Sequence, residues 1–245
     1  MKLKLFRFVM FTLAVPAMLL SLIRPALAGP VLICKTYEIG SAKSLPWAGS
    51  DWRSVKSDYD INRLVDDTLV LLTPDTPVLV RMETLRRATI YAVWARGDRE
   101  VGYAKRKDGV AEELFSRLVT TGKRAAFQPG GNGKPDPLRL FDAGFFVESW
   151  KQAHINGTGA KPPEFDGYAL IKKAIELRGR DADMEFAAAL ITSIRPDKPA
   201  YHAHLKNAIE GASEGSLLGR NLVNHFGRRG QSLADLRKDL ASAKR

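Results

Sequence analysis

The sequence predicts an all-α fold in which antiparallel helical hairpins stack in a repeat-like array, either a solenoid or an irregular bundle. Apolar residues recur at helical spacing from Ser57 onward, and capping residues mark where the segments begin and end. No run of alternating apolar and polar residues is long enough to indicate a strand. The predicted helical domain covers residues 58–245.

Residues 29–57 precede this domain as a predicted extended N-terminal arm. The stretch has no helical period, and its proline and glycine residues interrupt regular structure. Three aromatic side chains are large enough to dock the arm across helices, which is a packing role rather than a ligand-binding one. These are Tyr37, Trp47 and Trp52.

Residues 1–28 have the three zones of a cleavable signal peptide, and we predict cleavage before Gly29. Lys2, Lys4 and Arg7 give a basic start, and residues 9–23 follow as an almost wholly apolar stretch. Residues 26–28 then spell Ala-Leu-Ala, the small-x-small pattern that signal peptidase accepts. The other 217 of the 245 residues are therefore expected in a bacterial periplasm or outside the cell.

Two alternatives to cleavage before Gly29 fit the sequence less well. An uncleaved membrane anchor would have to continue its apolar stretch across Arg24 and Pro25, a charge and a helix breaker. A lipoprotein would be cleaved before Cys34, but bulky Ile33 stands where a small residue is needed. Cleavage after Ala28 fits the sequence better than either.

Cys34 is the only cysteine of the chain, so no internal disulfide can form. Following an apolar triplet, it is expected to pack as a small hydrophobe. A disulfide between chains and a nucleophilic thiol are the alternatives. The stability of the fold must then come from packing.

The formal net charge of +11 is unevenly distributed along the chain. Residues 1–28 hold four basic and no acidic side chains, which leaves +7 for the remainder. Residues 220–245 hold seven basic and two acidic side chains, so residues 29–219 carry only +2. A nucleic-acid-binding body is therefore not indicated, and the basic C-terminal segment is expected to be mainly a solvated helix face.

Three helices are predicted in the first half of the domain. The first ends before Pro74. The second has Thr76 as its cap, Pro77 in its first turn and Gly97 at its end. The third runs from Asp108 to Gly122. Their predicted buried faces are Ile61, Leu64, Val65, Leu69 and Leu72; Leu79, Met82, Leu85, Ile90 and Val93; and Val110, Leu114, Phe115, Leu118 and Val119.

Residues 123–137 form a predicted surface loop and a candidate internal boundary of the helical domain. Four glycine or proline residues between 129 and 133, with two more prolines at 135 and 137, cannot sustain a helix. Either two helix-rich halves hinge at this loop, or it is a long excursion within one domain.

The second half of the domain is predicted to contain six further helices. An aromatic helix with a core position comes first, carrying Phe141, Phe145, Phe146 and Trp150. Asp166 then caps a helix that Gly179 ends, and Asp181 caps the next. A further pair covers residues 199–210 and 215–226, and a last helix is capped by Ser232.

A short pattern repeats in this half at an offset of 34 residues. Residues 171–176 read Ile-Lys-Lys-Ala-Ile-Glu, and residues 205–210 read Leu-Lys-Asn-Ala-Ile-Glu. The period resembles that of tetratricopeptide repeats, although their Trp, Leu-Gly and Tyr pattern is missing. Separately, residues 39–47 resemble exported bacterial helical proteins of unassigned function, a resemblance that implies no catalytic residue.

Motifs for known chemistries are incomplete in this sequence. The four histidines lack the His-Glu-x-x-His spacing of zinc hydrolases, and glycines 130, 131 and 133 lack the other residues of a phosphate loop. Residues 211–215 spell Gly-x-Ser-x-Gly, but helices are predicted on both sides where a nucleophile elbow needs a strand. We predict no metal and no cofactor, and the sequence identifies no catalytic residue.

The architecture favours a non-catalytic exported protein that presents a binding surface to a protein or peptide in the cell envelope. The alternative is a secreted or periplasmic enzyme with a cleft built from distant helices around His202, His204 or Ser213. A third hypothesis gives the C-terminal segment weak contact with an anionic surface. Its candidate residues are Arg228, Arg229, Arg237 and Lys238. A membrane-spanning mature protein and a nucleic-acid partner are not expected.

Overall fold

The structure is a computed structural model that describes residues 29–52, 54–94, 109–127, 136–154, 161–195 and 197–242. Within these ranges the chain is helical, and β-structure is limited to one isolated bridge between Trp47 and Val55. The all-α prediction is confirmed. The predicted signal peptide, residues 1–28, lies outside the described residues, as do the predicted helix boundaries at Gly97 and Asp108.

Nine α-helices are present in the described ranges. A 3-10 turn, Ile61–Arg63, leads into the first, and a π-helical turn, Ile90–Trp94, continues the second. The helices are α1 Leu64–Leu71, α2 Val78–Thr89, α3 Val110–Phe127, α4 Pro137–Ala153, α5 Gly167–Arg178, α6 Ala182–Ser193, α7 Lys198–Gly211, α8 Leu217–Phe226 and α9 Leu233–Ser242.

The core is organised around α4, which contacts α2, α3 and α5. Fourteen of its seventeen residues are buried, so it has apolar neighbours on all sides rather than on one stripe. Its four aromatic residues are at most 1% exposed, which confirms the predicted core position of this helix. A second extensive contact joins α6 to α7.

Residues 29–57, hereafter the N-terminal segment, contain no helix among their described residues and pack across α2 and α8. The buried Glu83 carboxylate of α2 accepts from the Tyr37 N–H at 3.0 Å, and Arg86 donates to the Ile33 carbonyl at 3.1 Å. Asn221 of α8 accepts from the Glu38 N–H and donates to the Glu38 carbonyl, each at 2.9 Å. Side chains of the two helices thus replace the missing backbone partners of the segment.

The aromatic residues of the N-terminal segment pack as predicted. Tyr37 is 3% exposed and makes edge contacts with Phe145 and Phe186. Trp47 contacts Tyr91, and Trp52 contacts Trp94. The ring contacts and the buried ion pair of α2 together fix the path of the segment.

Two helix boundaries differ from the predictions. Helix α3 continues through Gly122 to Phe127, so the first five residues of the predicted loop 123–137 are helical, and 128–135 lie outside the described residues. A glycine costs a helix only about 1 kcal/mol relative to alanine, and the residues after it favour a helix. Thr76 does not cap α2, because its hydroxyl donates to the Leu71 carbonyl at 2.8 Å.

The predicted caps of the later helices are confirmed, although α8 begins at Leu217 rather than at residue 215. Asp166 and Asp181 accept backbone N–H groups at the starts of α5 and α6. Gly179 ends α5 with φ +74°, a conformation in which a side chain would be strained. Ser232 accepts the Asp235 N–H at 3.2 Å at the start of α9.

Candidate functional site

A cleft of about 780 Å³ lies where the N-terminal segment meets the ends of four helices. We call it the N-terminal cleft. Its volume falls within the roughly 300–1,000 Å³ range of ligand pockets. It is lined by Ile39, Gly40, Ser41, Ala42, Pro77, Leu79, Val80, Asp181, Ala182, Asp183, Gly211, Ser213, Ser216, Leu217, Leu218 and Arg220.

Close backbone approaches shape this cleft. A Cβ atom on Gly211 at the end of α7 would lie 2.4 Å from the Ala182 Cβ, so only glycine lets α7 touch the start of α6 this closely. Gly40 turns the N-terminal segment with φ +63°, and a Cβ there would lie 3.7 Å from the Leu217 side chain. The walls of the cleft are therefore backbone and aliphatic side chains held by packing.

Two of the three charged side chains in the N-terminal cleft are already paired. The Asp181 carboxylate accepts from Arg178 Nε at 2.6 Å and from the N–H groups of Asp183 and Met184. Arg220 donates from Nε to Glu38 at 2.7 Å and also to the Gly215 carbonyl. Neither group needs a ligand to satisfy its charge.

Asp183 differs from both of these residues. It is partly buried, and its carboxylate makes no hydrogen bond or ion pair with any described residue. Burial, and secondly the negative charge of Asp181, raise the pKa of the Asp183 carboxyl from 3.8 to about 6. A carboxyl with a perturbed pKa that lies in a cleft without a partner is a candidate ligand-binding group.

A second cavity, the C-terminal groove, has a volume of about 520 Å³ and lies between α7 and α9. Ile209, Leu240 and Ala241 form its apolar surface, and charged side chains stand at its rim. All three of these rim charges are paired, Lys206 with Glu210 at 3.3 Å and Arg237 with Glu214 at 3.7 Å. Its polar groups are thus largely satisfied within the chain.

A chain of hydrogen bonds connects α5, α6 and α7. The Tyr168 hydroxyl lies 2.7 Å from His204 Nε2, and His204 Nδ1 lies 2.5 Å from the Glu185 carboxylate. Asn207 donates to the other Glu185 oxygen at 2.9 Å. When Nδ1 donates to the Glu185 carboxylate, this bond orients the imidazole and leaves Nε2 to accept the phenol hydrogen.

The residues proposed for an enzyme lie in three different places. His202 lines the C-terminal groove, Ser213 lines the N-terminal cleft, and His204 belongs to the hydrogen-bond chain with Tyr168. Tyr168 and Glu185 could not be predicted as partners of His204 from sequence alone, because they stand 36 and 19 residues away from it. Only the packing of three helices reveals the arrangement.

Three of the four basic residues proposed for an anionic surface are close to acidic side chains. Arg228 pairs with Asp239 at 2.9 Å, Arg237 with Glu214 as described, and Lys238 stands 4.0 Å from Asp235. Arg229 is exposed and forms no ion pair with a described residue. The positive charge of the segment is therefore partly neutralised within the chain.

Within the described ranges, no group of three or more histidine, cysteine or acidic residues is placed to hold a metal ion. No helix among these residues is long and apolar enough to cross a membrane. Comparisons with family models, with curated proteins and with solved structures found no match to this chain. The function of the candidate site is therefore inferred from its geometry alone.

Proposed function

We propose that the chain is a non-catalytic exported helical protein that binds a peptide or protein partner in the cell envelope, and that the N-terminal cleft holds the partner. The observation that carries this proposal is the Asp183 carboxylate, unpaired and partly buried between aliphatic walls. Apolar walls supply affinity, while a few convergent polar groups supply specificity.

The cleft edge also offers backbone groups to an extended peptide, although the Ala42 N–H already donates to the Ile39 carbonyl at 3.3 Å. Gly40, Ser41 and Ala42 are exposed along one edge. An extended partner segment can bond to such backbone groups while its side chains enter the cleft. The N-terminal segment is itself fixed by Asn221 and the Glu83 ion pair, so little ordering is needed on binding.

Export remains part of the proposal and depends on residues 1–28. A basic start, an apolar stretch and the Ala-Leu-Ala ending support it. Mass spectrometry of the protein from its producing cell tests the cleavage site directly. We expect a mature N-terminus at Gly29, and an intact Met1 or a lipid-modified Cys34 would contradict it.

We also propose a repeat-like arrangement of α5 to α8, the last three of which line the cleft. Ile171 and Ala174 of α5 are buried, as are Leu205 and Ala208, their equivalents in α7 at the 34-residue offset. The capping residues Asp166 and Asp197 stand 31 residues apart, so the two helices begin at different points of the pattern. The equivalence therefore rests on the buried faces.

Site-specific photo-crosslinking in the producing cell tests the proposed function. A photoreactive p-benzoylphenylalanine at Lys43, an exposed position that follows Ala42 at the cleft edge and does not line the cleft, is expected to yield a discrete adduct of higher mass. The same residue at Val70, which is 74% exposed on α1 and outside the cleft, is the matched control and should yield none. Adducts equal at both positions, or none at Lys43, would contradict the proposal.

Acid–base catalysis at Tyr168 and His204 is the second candidate function. The oriented imidazole favours it, since a histidine between a carboxylate and a hydroxyl is the arrangement that activates a nucleophile. Burial, followed by the charge of Asp197, raises the pKa of the Tyr168 hydroxyl, however, which opposes its ionisation. Turnover of p-nitrophenyl esters by the protein, lost in His204→Gln, would establish this candidate over the first.

A further inference from the structure

The charges of the N-terminal cleft indicate what kind of partner it binds. Asp181 and Arg220 are engaged by Arg178 and Glu38, so the one charge left for a ligand is the carboxylate of Asp183. An opposite charge placed beside a partly buried carboxylate gains more than it would in water, because the surrounding dielectric is lower. The complementary ligand group is therefore cationic.

The surroundings of Asp183 define the rest of the ligand. Ile39, Leu79 and Leu217 line the same cleft, and Ala182 stands directly beside Asp183 in the chain. Lysine and arginine place an aliphatic stem against such walls while the charged group reaches a carboxylate. Aliphatic side chains next to the basic residue can cover the remaining apolar surface.

We infer that the N-terminal cleft binds a peptide segment in which a lysine or arginine stands between aliphatic residues and pairs with Asp183. This inference rests on the proposed function. Asp183 gives the cleft its preference for a basic residue, and the aliphatic walls hold the neighbouring residues. Binding and charge preference thus belong to different parts of the same cleft.

A helix start favours an acidic residue even without a ligand, because the helix dipole stabilises negative charge there. That stabilisation is outweighed at Asp183, since burial and the negative charge of Asp181 raise the pKa of its carboxyl above the ordinary value. Asp181 already caps α6 through two backbone N–H groups. Asp183 is therefore not needed to begin the helix.

A phage-displayed library of random hexapeptides, selected on the immobilised full chain, tests the inference. The wild-type chain is expected to enrich peptides with a basic residue flanked by aliphatic ones. Asp183→Asn keeps the size of the side chain and removes its charge. It should lower the enrichment of basic residues about fivefold, the effect of one partly buried ion pair, while aliphatic enrichment persists.

A cleft-filling variant distinguishes the inference from the proposed function. Ala42→Trp adds bulk at an exposed position of the cleft edge and should abolish enrichment of basic and aliphatic residues alike, whereas Val70→Trp should not. If Ala42→Trp recovers the wild-type pool, the proposed function fails. The inference alone fails if Ala42→Trp abolishes binding but the wild-type pool shows no preference for basic residues. It also fails alone if Ala42→Trp abolishes binding and Asp183→Asn keeps that preference.

Discussion

At the scale of single residues, Asp183 is expected to lower the stability of the fold. Because its folded pKa of about 6 lies above the unfolded value, ionisation destabilises the folded chain as pH rises from about 4 to 6. Asp183→Asn should therefore raise the free energy of unfolding at pH 7 by about 1 to 3 kcal/mol. Urea unfolding at pH 7 and pH 3.5 measures it, and the gain should vanish at the lower pH.

Asp181→Ala, two residues earlier, should change the stability in the opposite direction. Asp181 caps α6 and pairs with Arg178, so its loss should destabilise the chain by about 0.5 to 2 kcal/mol. A gain of stability in Asp183→Asn that persisted at pH 3.5 would show that charge is not its cause.

The two aspartates also show how much of the site the sequence could predict. Asp181 was predictable, because a cap is a local pattern of one acidic residue after a glycine-terminated helix. Asp183 was not, because its lack of a partner depends on the N-terminal segment, which lies about 140 residues earlier in the chain. Local chemistry is visible in the sequence, whereas the unpaired charge requires the assembled cleft.

At the scale of elements, the N-terminal segment is held by a buried ion pair on α2. Glu83 and Arg86 are fully buried, and Glu83 accepts from Arg86 at 2.8 Å on both oxygens. Glu83→Gln leaves the Arg86 charge buried without its counterion and should destabilise the chain by about 3 to 5 kcal/mol. Urea unfolding measures this loss.

A less buried pair at the start of α1 is the control for this effect. Arg63 and Asp67 form an i,i+4 pair as Glu83 and Arg87 do, but the Arg63 side chain is 70% exposed. Arg63→Ala should cost less than about 1 kcal/mol. Equal losses in Arg63→Ala and Glu83→Gln would contradict the proposed anchoring role of the buried pair.

Close contact between α4 and α5 gives a second prediction for the elements. A Cβ on Gly144 would lie 2.5 Å from the Gly167 carbonyl oxygen, and a Cβ on Gly167 would lie equally close to the Gly144 oxygen. Helix propensity alone makes Gly144→Ala stabilising by about 1 kcal/mol. The contact with backbone should reverse this sign and destabilise the chain by about 1 to 3 kcal/mol.

A double-mutant cycle checks that the two glycines report one contact. Because a single separation of α4 from α5 relieves both clashes, Gly144→Ala with Gly167→Ala should cost less than the sum of the single changes. Thermal unfolding of the three variants measures this difference, and additive losses would contradict a shared contact. The sequence could predict both helices but not their crossing point, which depends on shapes that meet only in the folded chain.

At the scale of the whole molecule, His225 joins the N-terminal segment to the helical body. Its ring stacks on Tyr37 at 5.1 Å between centroids and meets Phe186 edge-on. Although the residue is partly buried, its Nε2 atom is inaccessible and has no hydrogen-bond partner. Burial, with a smaller effect of Lys35, lowers the pKa of this imidazole from 6.5 to about 3.

Because the pKa of the His225 imidazole is lower in the folded chain than in the unfolded chain, folding favours the neutral ring. Stability from His225 is complete above pH 6.5 and falls as pH decreases towards 3, because the unfolded chain takes up the proton first. Among the charged groups around the ring, the carboxylate of Glu83 favours protonation, whereas Lys35 and Arg86 oppose it. The loss should approach about 1 kcal/mol per pH unit between pH 6 and 4.

His225→Phe isolates this contribution from all other titrating groups. The phenyl ring can keep the contacts with Tyr37 and Phe186, although it loses the hydrogen bond to the Thr36 backbone. Relative to wild type, the variant should therefore gain stability steadily as pH falls from 6 to 4, whatever its stability at pH 7.5. Val70→Phe, which adds the same ring at an exposed position of α1 without removing a titrating group, should run parallel to wild type over the same range. If the His225→Phe curve also ran parallel, proton uptake at His225 would not link pH to the docking of the N-terminal segment.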